Sequence, residues 1–165
     1  MEIIIRNAVE NDLEAILKIV NHAILHTTSN YSYDIQTLAD QKKWFIDKKD
    51  KGLPILVAEF QNQVLGFATY GSFREKIGYQ YTIEHSVYVI DDYIGKGIGK
   101  LLLSKLIYLA KKQGYHCMIG AIDATNQNSI QFHQKFGFQI SGHIKEVGFK
   151  FNQWLDLVLM QLILQ

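Results

Sequence analysis

Tyr93-Ile94-Gly95-Lys96-Gly97-Ile98-Gly99-Lys100 decides the fold. It follows Tyr79 to Ile90, a long run rich in Tyr, Val, Ile and Thr that reads as a strand. It opens Ile98 to Gln113, an apolar helical run, with Gly114 placed for a C-cap. Glycines let a backbone turn tightly and approach a ligand closely. The free amides and dipole of a helix N-terminus favour an anion, typically a phosphate. Spacing excludes two familiar cradles. A Walker A loop needs a glycine where Ile94 stands and Ser or Thr where Leu101 stands. The dinucleotide fingerprint needs glycine where Lys100 stands. Two readings remain: a pyrophosphate cradle of another kind, or a turn whose glycines serve packing alone.

Working outward, Glu2 to Arg6 is a short strand, and Asn11-Asp12-Leu13-Glu14 resembles a capping box. Leu13, Ile16, Leu17, Val20 and Ile24 at helical spacing predict a helix from about Asp12 to His26. Thr27 to Tyr33 is a loop, and Thr37 to Lys48 a second helix with Leu38, Trp44 and Phe45 as its apolar contacts. Pro54 to Phe60 and Val64 to Phe73 form a hairpin around Gln61-Asn62-Gln63. Beyond the glycine turn, His116 to Ile122 is a strand and Asn126 to Phe136 a short helix closed by Gly137. Phe138 to Val147 and Trp154 to Leu164 are closing strands. An antiparallel front half thus joins a β-α-β-α unit. The expectation is one α/β domain over residues 1–165, with a mixed sheet and no linker.

Composition agrees. Hydrophobic residues are 48% and charged residues 20% of 165, ordinary for a globular chain. Seventeen Lys and Arg against sixteen Asp and Glu leave a net charge of +1, unlike a protein whose affinity comes from neutralised phosphates of a nucleic acid. No stretch approaches about 18 apolar residues, and Met1 to Arg6 has no charged leader with an apolar run. The expectation is a cytoplasmic protein with no nucleic-acid or membrane partner. Cys117 is the single cysteine, in an apolar strand, and fits the core better than a nucleophile's place. His22 and His26 stand i, i+4, but no Glu follows His22, so a hydrolytic zinc site is unsupported and no metal is expected.

The G-x-G opening a helix after a long strand resembles motif A of the GNAT superfamily of N-acetyltransferases, where Gly97 and Gly99 fit the glycines and Ile94 stands where that pattern has Arg or Gln. Tyr79 to Val89 resembles the stretch before motif A in the phosphinothricin and methionine-sulfoximine acetyltransferase branch. Asn126-x-x-Ser129-Ile130-x-Phe132-His133-x-x-x-Gly137-Phe138 is similar to that branch's later helix, and Val147 to Asp156 to its closing segment. The likeness covers nearly the whole chain. It implies a mostly antiparallel sheet flanked by helices, with a splayed central strand pair. It implies acetyl-CoA as co-substrate, direct acetyl transfer to a small-molecule amine, and a homodimer with Phe149, Phe151 and Trp154 as candidate contacts.

The candidate residues follow. Glu84, a carboxylate amid β-branched and aromatic residues, is the candidate base; partial burial would raise its pKa, whereas a solvent-facing Glu on an alternating strand is the ordinary alternative. Successive helix residues turn by about 100°, so Asn126, Ser129, Ile130 and His133 share one face suited to an extended ligand. The resemblance casts His133 as the group that protonates the leaving thiolate or relays protons; a satisfied surface histidine is the alternative. It implies backbone roles along the pantetheine arm for Val87, Tyr88 and Val89, with the Val89 amide polarising the thioester carbonyl. Gly95, Lys96, Gly97, Ile98, Gly99 and Lys100 are the expected pyrophosphate cradle. Phe73, Arg74, Lys76, Tyr79 and Tyr81 match the segment that holds the amino-acid substrate, with Arg74 and Lys76 suited to a carboxylate or phosphinate. Tyr31 and Tyr33 cap the acceptor pocket or pack their loop onto the first helix. Acetylation of a protein N-terminus, lysine or polyamine, and a silent acyl-CoA sensor, are the alternative functions.

Overall fold

The computed structural model describes residues 2–165; Met1, which begins the N-terminal stretch read above, lies outside them. In chain order the elements are β1 (Ile4–Asn7), α1 (Leu13–His26), α2 (Leu38–Asp50), β2 (Ile55–Phe60), β3 (Gln63–Ser72), β4 (Thr82–Val89), α3 (Ile98–Lys112), β5 (Cys117–Asp123), α4 (Gln127–Gln134), β6 (Gln139–Lys150) and β7 (Gln153–Ile163). The strands form one seven-stranded sheet in the order β1-β2-β3-β4-β5-β7-β6. Every neighbouring pair is antiparallel except β4 and β5. The mixed, mostly antiparallel sheet expected from the sequence is the one observed.

Each face of the sheet has its own core. On one face, Ile98, Leu102, Leu103, Leu106 and Ala110 of α3 pack fully buried against Leu56, Ala68, Tyr70, Ile83 and Met118. On the other, Leu13, Ile16, Val20 and Ile24 of α1 cover Ile55, Val57 and Phe67, with Leu38, Trp44 and Phe45 of α2 at the margin. Period-2 alternation along the strands supplies both faces. The β2–β3 turn takes positive φ at Gln61 and Asn62 (49° and 63°).

Three element ends differ from the sequence reading. A short 3-10 turn, Glu10–Asp12, precedes α1, and Asn11 is not its cap. The Asp12 carboxylate instead accepts from the Val9 N–H (2.8 Å) and from Arg6, at 2.7 and 2.9 Å. Arg6 also pairs Glu59 across the β1–β2 ladder (Nε to Oε2, 2.7 Å), so the local cap is made by Asp12, which Arg6 also holds, and not by Asn11. Tyr79 to Tyr81 do not join β4, because Ile77–Tyr79 closes a 3-10 turn with the Tyr79 N–H on Lys76 O (2.9 Å). Strand β6 runs on to Lys150 through an irregularity between Ile144 and Gly148, where Glu146 adopts φ 52°. The C-cap of α3 forms as expected: Gly114 has φ 81°, and the Tyr115 N–H reaches back to Ala110 O (3.1 Å).

Gly66 marks the closest packing of β3 on β4. A Cβ there would lie 2.5 Å from the Tyr88 carbonyl oxygen, a backbone atom that cannot swing aside. Gly66→Ala is expected to cost about 1–3 kcal/mol, the ordinary penalty of overpacking. Gly142→Ala, where a Cβ meets nothing within 4 Å, is the control. Thermal unfolding checks both: a clear fall in Tm for the first, none for the second.

Candidate active site

The site begins where two neighbouring strands part. The parallel register of β4 and β5 covers only Thr82, Ile83 and Glu84 of β4, against Cys117, Met118 and Ile119. Beyond Glu84, β4 stays with β3 as far as Val89, and β5 stays with β7 as far as Asp123. The splayed central pair that the resemblance implied is therefore present.

The antiparallel ladder shows which amides face the gap. The Phe73 N–H donates to Thr82 O (3.2 Å) and the Ile90 N–H to Leu65 O (2.9 Å), at the two ends of a continuous register. Bonded pairs alternate in such a ladder. Glu84, Ser86 and Tyr88 thus turn their backbone groups to β3, while Val87 and Val89 turn theirs into the gap. Tyr88 differs from Val87 and Val89. Its amide belongs to the ladder, and its ring stacks on Phe67 (centroids 5.2 Å apart) on the α1 side of the sheet.

The glycine turn closes one end of the gap. Gly95 and Gly97 have φ of 79° and 86°, a region that side chains disfavour, and a Cβ on either would meet nothing within 4 Å. Conformation, not crowding, requires these glycines. At Gly99 a Cβ would make only an ordinary contact, 3.5 Å from the Phe132 ring of α4, so neither conformation nor crowding demands glycine there. The Leu101 N–H makes the first bond within α3, to Gly97 O (3.2 Å). The amides of Ile98, Gly99 and Lys100 are therefore the donors that a helix leaves without an internal partner. The Lys96 amide is used within the turn, on Tyr93 O (3.3 Å), and its ammonium lies over the Tyr93 ring. Ile98 contributes only its amide, since its side chain is buried in the core. Ile94 is exposed.

Glu84 and His133, paired by the sequence reading as catalytic groups, approach the gap from opposite faces. Glu84 shares the α1 side with Tyr88. Its carboxyl retains solvent access, yet partial burial raises its pKa above the usual carboxylate value. His133 is not a surface histidine. It is 6% exposed, on the α3 side, and both ring nitrogens are engaged: Nδ1 with Ser129 O (2.7 Å) and Nε2 with His85 Nε2 (2.9 Å). Burial lowers its pKa. Gly120 makes the room, because a Cβ there would stand 3.0 Å from His85 Cε1 and 3.4 Å from His133 Cδ2. Asn126 serves as the N-cap of α4, its side chain accepting from the Ser129 N–H (3.1 Å).

On the acceptor side, Phe73, Arg74 and Lys76 line an open groove of about 930 Å³ with Trp44 and Lys48 of α2. The groove reaches Gly71, which pairs directly with Glu84. Arg74 lies over the Phe73 ring, which meets Tyr79 edge-on. Tyr79 flanks a smaller hollow with Arg74 and Lys76, and Tyr81, exposed, lines neither. Lys48 escaped the sequence reading, being one of many lysines on a polar helix. Its ammonium donates to Tyr70 O (2.6 Å), and burial pulls its pKa down to about 8. The loop after α1 packs onto the β6–β7 hairpin: Tyr31 lies against Gly148, and the Tyr33 hydroxyl donates to Phe149 O. Lys150, 4% exposed and also unanticipated, donates to Thr27 O (2.7 Å) and to Asn30 O. His85 likewise gave no sequence signal, since its role depends on a contact across 48 residues.

Comparison with known proteins accords with this geometry. An L-methionine sulfoximine/L-methionine sulfone acetyltransferase of Pseudomonas aeruginosa is 46% identical over 96% of this chain and 92% of its own length. The crystal structure of an N-acetyltransferase from Staphylococcus aureus Mu50 superposes with a TM-score of 0.98 at 48% identity, covering 100% of both chains. A phosphinothricin acetyltransferase from Sinorhizobium meliloti, solved in complex with acetyl-CoA, superposes with a TM-score of 0.96 at 33% identity, covering 99% of this chain and 89% of that one. Residues 5–159 match the acetyltransferase (GNAT) domain family, and the chain belongs to that family.

Proposed function

We propose that this chain transfers an acetyl group from acetyl-CoA to the amine of a small amino acid or analogue, of the methionine sulfone, methionine sulfoximine or phosphinothricin type. The observation that carries this reading is the gap between β4 and β5, which turns the Val87 and Val89 amides toward the space that ends at the donors of α3. The positive-φ turn and the α3 amides suit a pyrophosphate, and the gap suits an extended pantetheine arm. The Val89 amide is placed to support the oxyanion of the tetrahedral intermediate.

On the other face, Glu84 takes the proton that the attacking ammonium must lose. Arg74 and Lys76 meet the acceptor's carboxylate or phosphinate, with Lys48 adding positive charge to the same groove. Five basic and three acidic side chains line that groove, which favours an anionic acceptor over a polyamine or a lysine-rich protein. Transfer is direct: Cys117 is buried, and its Sγ accepts from Gln161 (3.2 Å), so it serves as no acyl carrier. The chain acts as a homodimer, its contacts including Phe149, Phe151 and Trp154, whose exposures of 42%, 52% and 64% leave an aromatic cluster uncovered near the β6–β7 turn. It works in the cytoplasm, where a lone cysteine stays reduced; among the described residues no helix is long and apolar enough to cross a membrane.

Three measurements test this. Gly97→Val puts a β-branched residue at φ 86° and is expected to weaken acetyl-CoA binding by calorimetry, with the wild type binding at micromolar to millimolar concentrations. Absence of wild-type binding at millimolar acetyl-CoA would end the reading. Glu84→Gln keeps shape but removes the base, so kcat at neutral pH is expected to fall by about 10²–10⁴, with acetyl-CoA affinity unchanged. The base works ionised, and its raised pKa means that activity gained as pH rises through that value disappears in the variant. Partial rescue at high pH follows, where free amine is plentiful; a near-normal kcat at neutral pH would clear Glu84 of the role. Light scattering at tens of micromolar, an order-of-magnitude choice, is expected to give the mass of a dimer, and a strict monomer would refute the assembly.

A further inference from the structure

The His85–His133 contact sets a proton-counting problem that the roles given above do not use. The Nδ1 of His85 lies 2.9 Å from Ile119 O, and the Nδ1 of His133 lies 2.7 Å from Ser129 O. A carbonyl oxygen only accepts, so each Nδ1 carries a hydrogen. In a neutral imidazole the other nitrogen is then bare. The two Nε2 atoms stand 2.9 Å apart. With no added proton, two lone pairs face each other. With two added protons, two N–H groups collide in a buried dication. One added proton alone makes all three contacts hydrogen bonds. Swapping one ring's tautomer is no escape, because its bare Nδ1 would then press on a carbonyl oxygen.

We infer that His85 and His133 act as one buried unit that binds a single proton beyond their neutral complement, shared between the two Nε2 atoms, and that His85 thereby sets the proton state of His133. The surroundings suit one charge and no more. Phe138 flanks both rings, at 5.5 and 5.2 Å between centroids, and Phe132 meets His133 edge-on at 5.2 Å. Strand β5 presents Gly120 and the Ile119 carbonyl, and α4 presents Ser129, whose Oγ is 3.5 Å from His133 Nδ1. On β3, Tyr70 pairs with His85, and its phenol is held neutral by burial, its hydroxyl donating to Gln113. Glu84, next along β4, points to the opposite face. Burial, and for His85 the neighbouring His133 ring, make the shared proton more acidic than that of a free imidazolium, pulling His85 down to about 4; the carbonyls of Ile119 and Ser129 work against that loss. The unit is protonated below its apparent pKa and neutral above it.

Such a proton suits the leaving thiolate. When the thioester C–S bond breaks, the electron pair stays on sulfur; the shared proton passes to it, giving the free thiol and two neutral rings. The amine's proton, collected on Glu84, is returned to the unit through solvent. This use rests on the acetyltransfer reading above; the shared proton itself does not.

The test uses the full chain, labelled with 15N-histidine and free of acetyl-CoA, from about pH 3.5, below the lowered His85 value, to about pH 8, above the ordinary histidine range. Long-range proton–nitrogen spectra are expected to show both Nδ1 atoms protonated throughout and one strongly deshielded proton shared by the two Nε2 atoms at the acid end. That proton should leave in a single step as pH rises. Two rings that titrate independently, or that stay neutral across the range, would overturn the unit. His85→Gln offers an amide donor to His133 Nε2 without a titrating group. It is expected to remain folded, to lose the shared proton, and to lower kcat by about 10² with KM for acetyl-CoA unchanged. A His85→Gln enzyme with wild-type kcat would overturn the catalytic use, and if the variant fails to fold, the wild-type spectra alone decide the unit.

Discussion

A sheet satisfies its backbone donors and acceptors by unbroken pairing, and this one gives up that pairing at its centre. β4 and β5 pair over Thr82 to Glu84 and then separate, each remaining with its outer neighbour. Backbone donors left this way cost free energy unless something accepts from them. The rest of the site is arranged around them. The glycine turn sets the start of α3 beyond the end of β4, and Gly120 keeps β5 free of a side chain that would block the histidine rings. Both sets of unpaired amides suit the proposed ligand, one with an extended polar arm and a pyrophosphate.

The sheet also separates two chemistries. Alternation along β4 places Glu84 and Tyr88 on the α1 face and His85, Val87 and Val89 on the α3 face. The Glu84 side is polar and open, with Arg74, Lys76 and Lys48 around the groove. The histidine side is packed, with Phe132 and Phe138 against the rings. The proposed roles, a base that exchanges protons with solvent and an acid that holds one, have opposite needs, and opposite faces of one strand suit both.

Long-range ties hold the walls in place. Lys150 reaches from the end of β6 to carbonyls of the loop after α1, a buried ammonium kept by hydrogen bonds although burial lowers its pKa. The Tyr33 hydroxyl makes a second tie, to Phe149 O. Arg6 joins β1, β2 and the entry to α1 through Glu59 and Asp12. The pairing holds the Asp12 carboxyl below its usual value. Its contribution to stability is therefore complete above that usual value and is lost as pH falls through the depressed one.

Local chemistry made much of this legible. The glycine turn, the apolar periodicity of α1 and α3 and the alternation in the hairpin each act within a few residues, so the elements, their order and the cradle could be read along the chain. Glu84 could be read too, because a carboxylate in a strand of β-branched and aromatic residues is conspicuous. What depends on which of several partners the fold selects could not. Asp12, held by Arg6, took the capping place read for Asn11, and Tyr88 and Lys96 spent their amides on neighbours that only the ladder and the turn reveal. His133 was legible as a residue on a helix face; its burial and its partner were not. One imidazole says nothing of its proton state until the fold brings a second within 2.9 Å and gives both a carbonyl at the other nitrogen. Sequence order alone determined the strands, the helices and the glycine turn; tertiary structure decided which donors are left unpaired and which histidine faces which, because hydrogen bonds are settled by whichever partner the fold brings nearest.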